Sequence, residues 1–138
     1  MLKNAPFRFS DFESISIQYG LQDSMLNTYN TATQEYQYIN KNNQVVKERL
    51  KLSDDDLLFL HRKAMEMGFW NVDNDMTTPR QDSTEGAKVP RYVLEFKYKE
   101  KSKRVTLDAD YPGNQKMKDA AKTTIEKVLD RINVAYAR

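Results

Sequence analysis

Residues 53–70 read SDDDLLFLHRKAMEMGFW, and the rest of the fold is built outward from this stretch. Ser53 stands where a helix N-cap belongs: its hydroxyl can accept from a free amide of the first turn, and Asp54, Asp55 and Asp56 oppose the positive end of the helix dipole. Leu57, Leu60, Ala64 and Met67 then recur three or four apart, with Leu58, His61 and Met65 on the flank. That spacing predicts a helix with one side laid on a sheet. Gly68 can adopt the left-handed conformation that ends it, and Phe69-Trp70 are placed to fold back over the last turn.

On the N-terminal side, Ile15, Ile17 and Tyr19 alternate with serine and glutamine, which predicts a strand that Gly20 ends. Residues 21–32 carry turn chemistry without a hydrophobic period and are read as a loop. Residues 33–39 and 44–52 form a hairpin around Asn40-Lys41-Asn42-Asn43, because asparagine tolerates positive φ. In its second strand Val46, Leu50 and Leu52 share one face and Lys47, Arg49 and Lys51 the other, while Glu48 breaks the apolar row and marks a rim. On the C-terminal side, residues 71–90 are a long polar loop of a length that is either mobile or functional. Tyr92, Leu94, Phe96 and Tyr98 pair as a hairpin with Val105, Leu107 and Ala109 across the turn at 99–102. Pro112-Gly113 breaks the strand, Asn114 can cap, and an apolar stripe from Met117 to Tyr136 predicts a long closing helix. The expected fold class is α+β: one domain over 1–138, with a single, mainly antiparallel sheet of about five strands and two helices on one face, in the order β-β-β-α-β-β-α. A strand-strand-helix unit occurs twice, at 33–68 and 91–136, but the copies share only hydrophobicity.

Composition excludes several functions. The 138 residues contain no cysteine, so thiolate metal sites, disulfides and a cysteine nucleophile are absent. Lys and Arg total 22 against 20 Asp and Glu; a net charge of +2 does not by itself point to nucleic acid or an anionic membrane. No stretch approaches the roughly 18 apolar residues of a membrane span, and the opening residues lack the pattern of a signal peptide, so the chain reads as soluble, cytoplasmic or exported with a leader outside these residues. The four glycines, Gly20, Gly68, Gly86 and Gly113, are isolated, which disfavours a phosphate-binding loop; no cofactor is expected. Nor is a metal: counted from Asp73, a calcium loop would need glycine and glutamate where Thr78 and Thr84 stand.

The candidate catalytic groups are the lone histidine, His61, and the carboxylates Asp108 and Asp110, which alternate along the last strand. They would support a small hydrolase or isomerase if the side chains converged. No nucleophile-elbow motif accompanies them. The candidate binding residues are Tyr29, Tyr36 and Tyr38, which as a surface cluster would suit a protein or a glycan. A third reading uses Lys97, Lys99, Lys101, Lys103 and Arg104 beside Tyr92, Phe96 and Tyr98 as a single-stranded nucleic-acid platform. Against it, Glu95 and Glu100 interrupt the charge, and alternation turns the rings to the core. The leading expectation is a non-catalytic binding or interaction domain. No pattern in the chain specifies its oligomeric state.

The run from Val46 through the Ser53 cap to Gly68-Phe69-Trp70, followed by a polar loop, the 92–108 hairpin and a last helix, resembles small uncharacterised bacterial α+β domains, many of them exported or lipid-anchored. The resemblance covers about two thirds of the chain. It implies no catalytic residues. The cysteine-containing N-terminal segment common in such domains has no counterpart in this sequence.

Overall fold

A computed structural model describes residues 7–21, 24–79 and 89–137. Among the described residues nine strands and α-helices follow one another: β1 (Phe12–Leu21), β2 (Ser24–Asn30), β3 (Glu35–Ile39), β4 (Val45–Arg49), α1 (Asp54–Met67), β5 (Asp75–Met76), β6 (Pro90–Tyr98), β7 (Ser102–Asp108) and α2 (Gln115–Ala137). All the strands join one sheet in the order β4-β3-β2-β1-β6-β7-β5. The class is α+β, but the expectation of about five mainly antiparallel strands is corrected on two counts. There are seven strands, and β5 runs parallel to β7, with Asp75 beside Thr106 and Met76 beside Leu107.

Both added strands fall where polarity hid them. β2 lacks a hydrophobic period because its helix-facing side offers Met25 and Asn27 before Tyr29, and the expected loop over 21–32 gives way to it. Asn27 acts there as a substitute for backbone: its amide nitrogen donates to the Tyr19 carbonyl (3.1 Å) and its oxygen accepts from the Ile39 amide (3.3 Å). β5 interrupts the expected 71–90 loop, and its Met76 is fully buried. Residues 80–88 of that loop lie outside the described residues.

The other elements form for the reasons read from the residues. Ser53 closes a reciprocal cap: its hydroxyl accepts from the Asp56 amide (3.1 Å), and the Asp56 carboxylate accepts from the Ser53 amide (3.0 Å). Gly68 ends α1 at φ 77°. The Asn114 side chain caps α2 by accepting from the Met117 amide (3.0 Å). Asn43 adopts φ 61° in the turn between β3 and β4.

One apolar cluster joins the sheet to both helices. Ile15 and Ile17 of β1 oppose Phe96 and Leu94 of β6; Val105 and Leu107 of β7 continue the layer. Leu60 and Ala64 of α1 and Ala121, Ile125, Val128 and Ile132 of α2 close over it. Asp56 also ties the two helices, lying 3.6 Å from the Arg131 guanidinium, which sits over the Phe59 ring at 5.0 Å. Among the described residues no helix is long and apolar enough to cross a membrane.

Candidate functional site

His61 faces the core. Its Nδ1 lies 2.6 Å from the Tyr98 hydroxyl, and the rings of Phe9, Tyr98 and Trp70 surround the imidazole at 5.5, 5.7 and 6.1 Å. Only 5% of the residue is exposed. Burial, then the nearby Arg62 charge, push the imidazole below its ordinary pKa, and burial pushes the Tyr98 phenol well above its own. The pair is a hydrogen bond within the core. Phe7 completes the lid, stacked on Trp70 at 4.2 Å, with the Lys101 ammonium 4.5 Å from its centroid.

Asp108 points the other way. Val105 and Leu107 enter the core, so the next side chain along β7 emerges on the opposite face, beside its register partner Arg91. There the carboxylate is fully buried and fully used: it accepts from Arg91 Nε (2.6 Å), Arg91 Nη2 (3.1 Å) and the Thr78 amide (2.8 Å). Asp110 is exposed and accepts from the Thr78 hydroxyl at 3.1 Å. The two carboxylates therefore meet at Thr78, with the sheet between them and His61. An acid–base site combining His61 with Asp108 needs convergence that this topology prevents. Thr77 holds the neighbouring Asp75 below the usual carboxylate range through its hydroxyl and its amide. Among the described residues no three histidine or carboxylate side chains converge in a metal-binding group.

The tyrosines are also largely committed to the interior. Tyr29 is 3% exposed, and its hydroxyl donates to the Leu50 carbonyl at 2.7 Å. Tyr36 is 8% exposed and packs edge-on to Tyr29 and Tyr136. Burial pushes both phenols up to about 12. Neither offers a ring face to a partner, because the residues of β2 and β3 that face the helices are the ones the end of α2 covers. Tyr38 alone keeps an exposed edge, its hydroxyl 2.7 Å from that of Tyr136.

Nor is the basic hairpin a free platform. Lys103 turns toward the helices and donates to the Val72 carbonyl, Arg104 lies 3.8 Å from Glu95, and Lys101 covers Phe7. Tyr98 and Phe96 are buried, as their alternation requires.

Among the described residues, the sheet face turned away from the helices stays open beside β2, β3 and β4. Adjoining hollows lie on it, one of about 530 Å³ and one of about 310 Å³, sharing Thr28, Thr33 and Glu35. The first reaches across β3 to Gln37, Lys47 and Arg49; the second reaches across β1 to Gln18 and Arg104. The register sets Arg49 beside Glu35 and Lys47 beside Gln37. Among the described residues neither Lys47 nor Arg49 has an ion-pair partner; Arg49 Nε donates to the Gln34 side chain at 3.2 Å. The wet row of Lys47 and Arg49 was visible in the sequence, but its place at the end of the sheet was not. A short strand carrying charge on its outer row is the pattern of a sheet edge, and that signal could have located it.

The chain matches no protein-family model, and no curated protein is similar to it in sequence.

Proposed function

We propose that this chain is a non-catalytic binding domain, of the kind of small bacterial α+β domain it resembles, and that it recognises a protein partner on the uncovered face of its sheet. The observation that carries the reading is the pair of adjoining polar hollows on that face, with both helices on the other side. A cleft lined by hydroxyls, amides and charges of both signs suits the polar contacts of a protein rim. A protein is favoured over a glycan because Tyr29 and Tyr36, the rings a sugar would stack on, are buried. Asp108 is saturated by internal partners and His61 is buried against Tyr98 on the other side of the sheet, which supports binding over catalysis.

Panning a random-peptide phage library on the immobilised protein tests this, with the enriched peptides mapped by amide chemical shifts. The expected perturbations cover Thr28, Glu35, Gln37, Lys47 and Arg49. Enriched peptides that map instead to the helix side, around His61 or α2, would overturn the reading.

A further inference from the structure

The sheet has unequal edges. At one end β5 contributes two residues; at the other β4 contributes five and is paired on one side only. Six interstrand spacings of about 4.8 Å make the sheet about 29 Å wide, whereas two helices of about 10 Å diameter cover about 20 Å of it. β4 is left out: Val45, Lys47, Glu48 and Arg49 are all exposed.

The ladder determines which backbone groups are free. The Leu50 amide donates to Gln34 (2.8 Å) and the Asn40 amide to Gln44 (3.0 Å), so the residue pairs 34–50 and 40–44 are hydrogen-bonded ones. Antiparallel pairs alternate, which makes 36–48 and 38–46 hydrogen-bonded as well and turns the N–H and C=O groups of Val45, Lys47 and Arg49 outward. The side chains of those three residues all lie on the open face. Val45, 49% exposed, adjoins Ile39; continuing the register of Thr28 with Gln37 sets 41%-exposed Leu26 next to Ile39, giving a short apolar strip.

We propose that β4 captures an extended peptide as an eighth, antiparallel strand, and that the peptide reads acidic, basic, acidic, apolar, apolar from its N-terminus. Opposite Arg49 and Lys47 a carboxylate is complementary, opposite Glu48 a cation, and opposite Val46 and Val45 aliphatic side chains. A second copy is a poorer occupant, because the self-pairing that uses the whole strand sets Lys47 against Lys47. The inference rests on the binding role above and specifies its ligand.

The test uses a blocked nonapeptide with Glu-Lys-Glu-Val-Val at its centre and threonine elsewhere, titrated into the whole chain by fluorescence anisotropy and by amide hydrogen exchange. Binding is expected to slow exchange at Val45, Lys47 and Arg49. The charge-reversed peptide Lys-Glu-Lys-Val-Val should bind about tenfold more weakly. A peptide N-methylated at the glutamate opposite Lys47 should lose binding, with no change to the protein. Lys47→Pro removes an outward amide that β3 does not use and should abolish binding, whereas Lys47→Gln should only weaken it about two- to fivefold. Unchanged affinity of the N-methylated peptide would overturn the proposal, as would a dimer that Lys47→Pro dissociates. If the nonapeptide fails while library peptides still map to the open face, the proposal falls and the binding role stands.

Discussion

Removing Arg91 should damage the protein more than removing its partner Asp108, because the two charges differ in access to water. The Asp108 side chain has no exposure and that of Arg91 has 27%. In Arg91→Met, the carboxylate loses both guanidinium contacts, at 2.6 and 3.1 Å, and keeps only the Thr78 amide. An uncompensated buried charge of this kind costs about 3–5 kcal/mol. In Asp108→Asn, the guanidinium can turn toward solvent and the amide oxygen can still accept from Thr78, so the loss should be about 1–3 kcal/mol. The double variant should recover about 2 kcal/mol relative to Arg91→Met alone, since it no longer buries a lone carboxylate. Urea unfolding followed by far-ultraviolet circular dichroism reads these differences directly, and at roughly 3 °C per kcal/mol the single Arg91 variant should melt about 10–15 °C early. An Arg91→Met protein within about 1 kcal/mol of wild type, or strictly additive singles, would refute the account of a buried, mutually dependent pair.

The two left-handed glycines should respond differently to alanine. Gly20 lies at φ 150°, at a bulge where an added Cβ would sit 2.6 Å from the Ser24 carbonyl oxygen; Gly68 lies at φ 77° with open space around it. Gly68→Ala should cost about 1 kcal/mol and Gly20→Ala about 3 kcal/mol or more, and urea midpoints that rank the other way would contradict this. Burial holds the His61 pKa below its ordinary value, so below about pH 6.5 the unfolded chain binds a proton that the folded one refuses. Stability should therefore fall as pH drops through that range, at up to about 1.4 kcal/mol per unit, and His61→Gln should flatten the curve; parallel curves for the two proteins would count against the argument.

Local chemistry was legible in the sequence wherever a residue acts on its own neighbours. The Ser53 cap, the Gly68 stop, the turn at Asn43 and the alternation of 92–98 all involve near neighbours in the chain. What escaped depends on distant partners. β2 is a strand because β1 and β3 flank it and because Asn27 supplies hydrogen bonds to both, and β5 is a strand only because β7 offers it an edge. The candidate site divides the same way. The alternation placed Asp108 and Asp110 on one face, but nothing local showed that Arg91 would neutralise Asp108 or that His61 would close on Tyr98. The tyrosines looked like a surface cluster because the helix that buries Tyr36 begins 79 positions later in the chain, at Gln115.

The central position of β1 has a consequence for how the protein is made. One neighbour, β2, follows at once, but the other, β6, pairs Ile17 with Leu94 and Ile15 with Phe96. During synthesis the first four strands emerge as a sheet whose most apolar strand has a bare edge and no helix over Ile15 and Ile17. That edge stays open until residue 98 has left the ribosome, and the hydrophobic face until α2 follows. At ordinary elongation rates of about 5–20 residues per second, this exposes an aggregation-prone strand for several seconds. The same sheet therefore demands opposite treatment of its two long edges: β1 must be kept from pairing until β6 arrives, while β4 remains available for pairing in the finished protein.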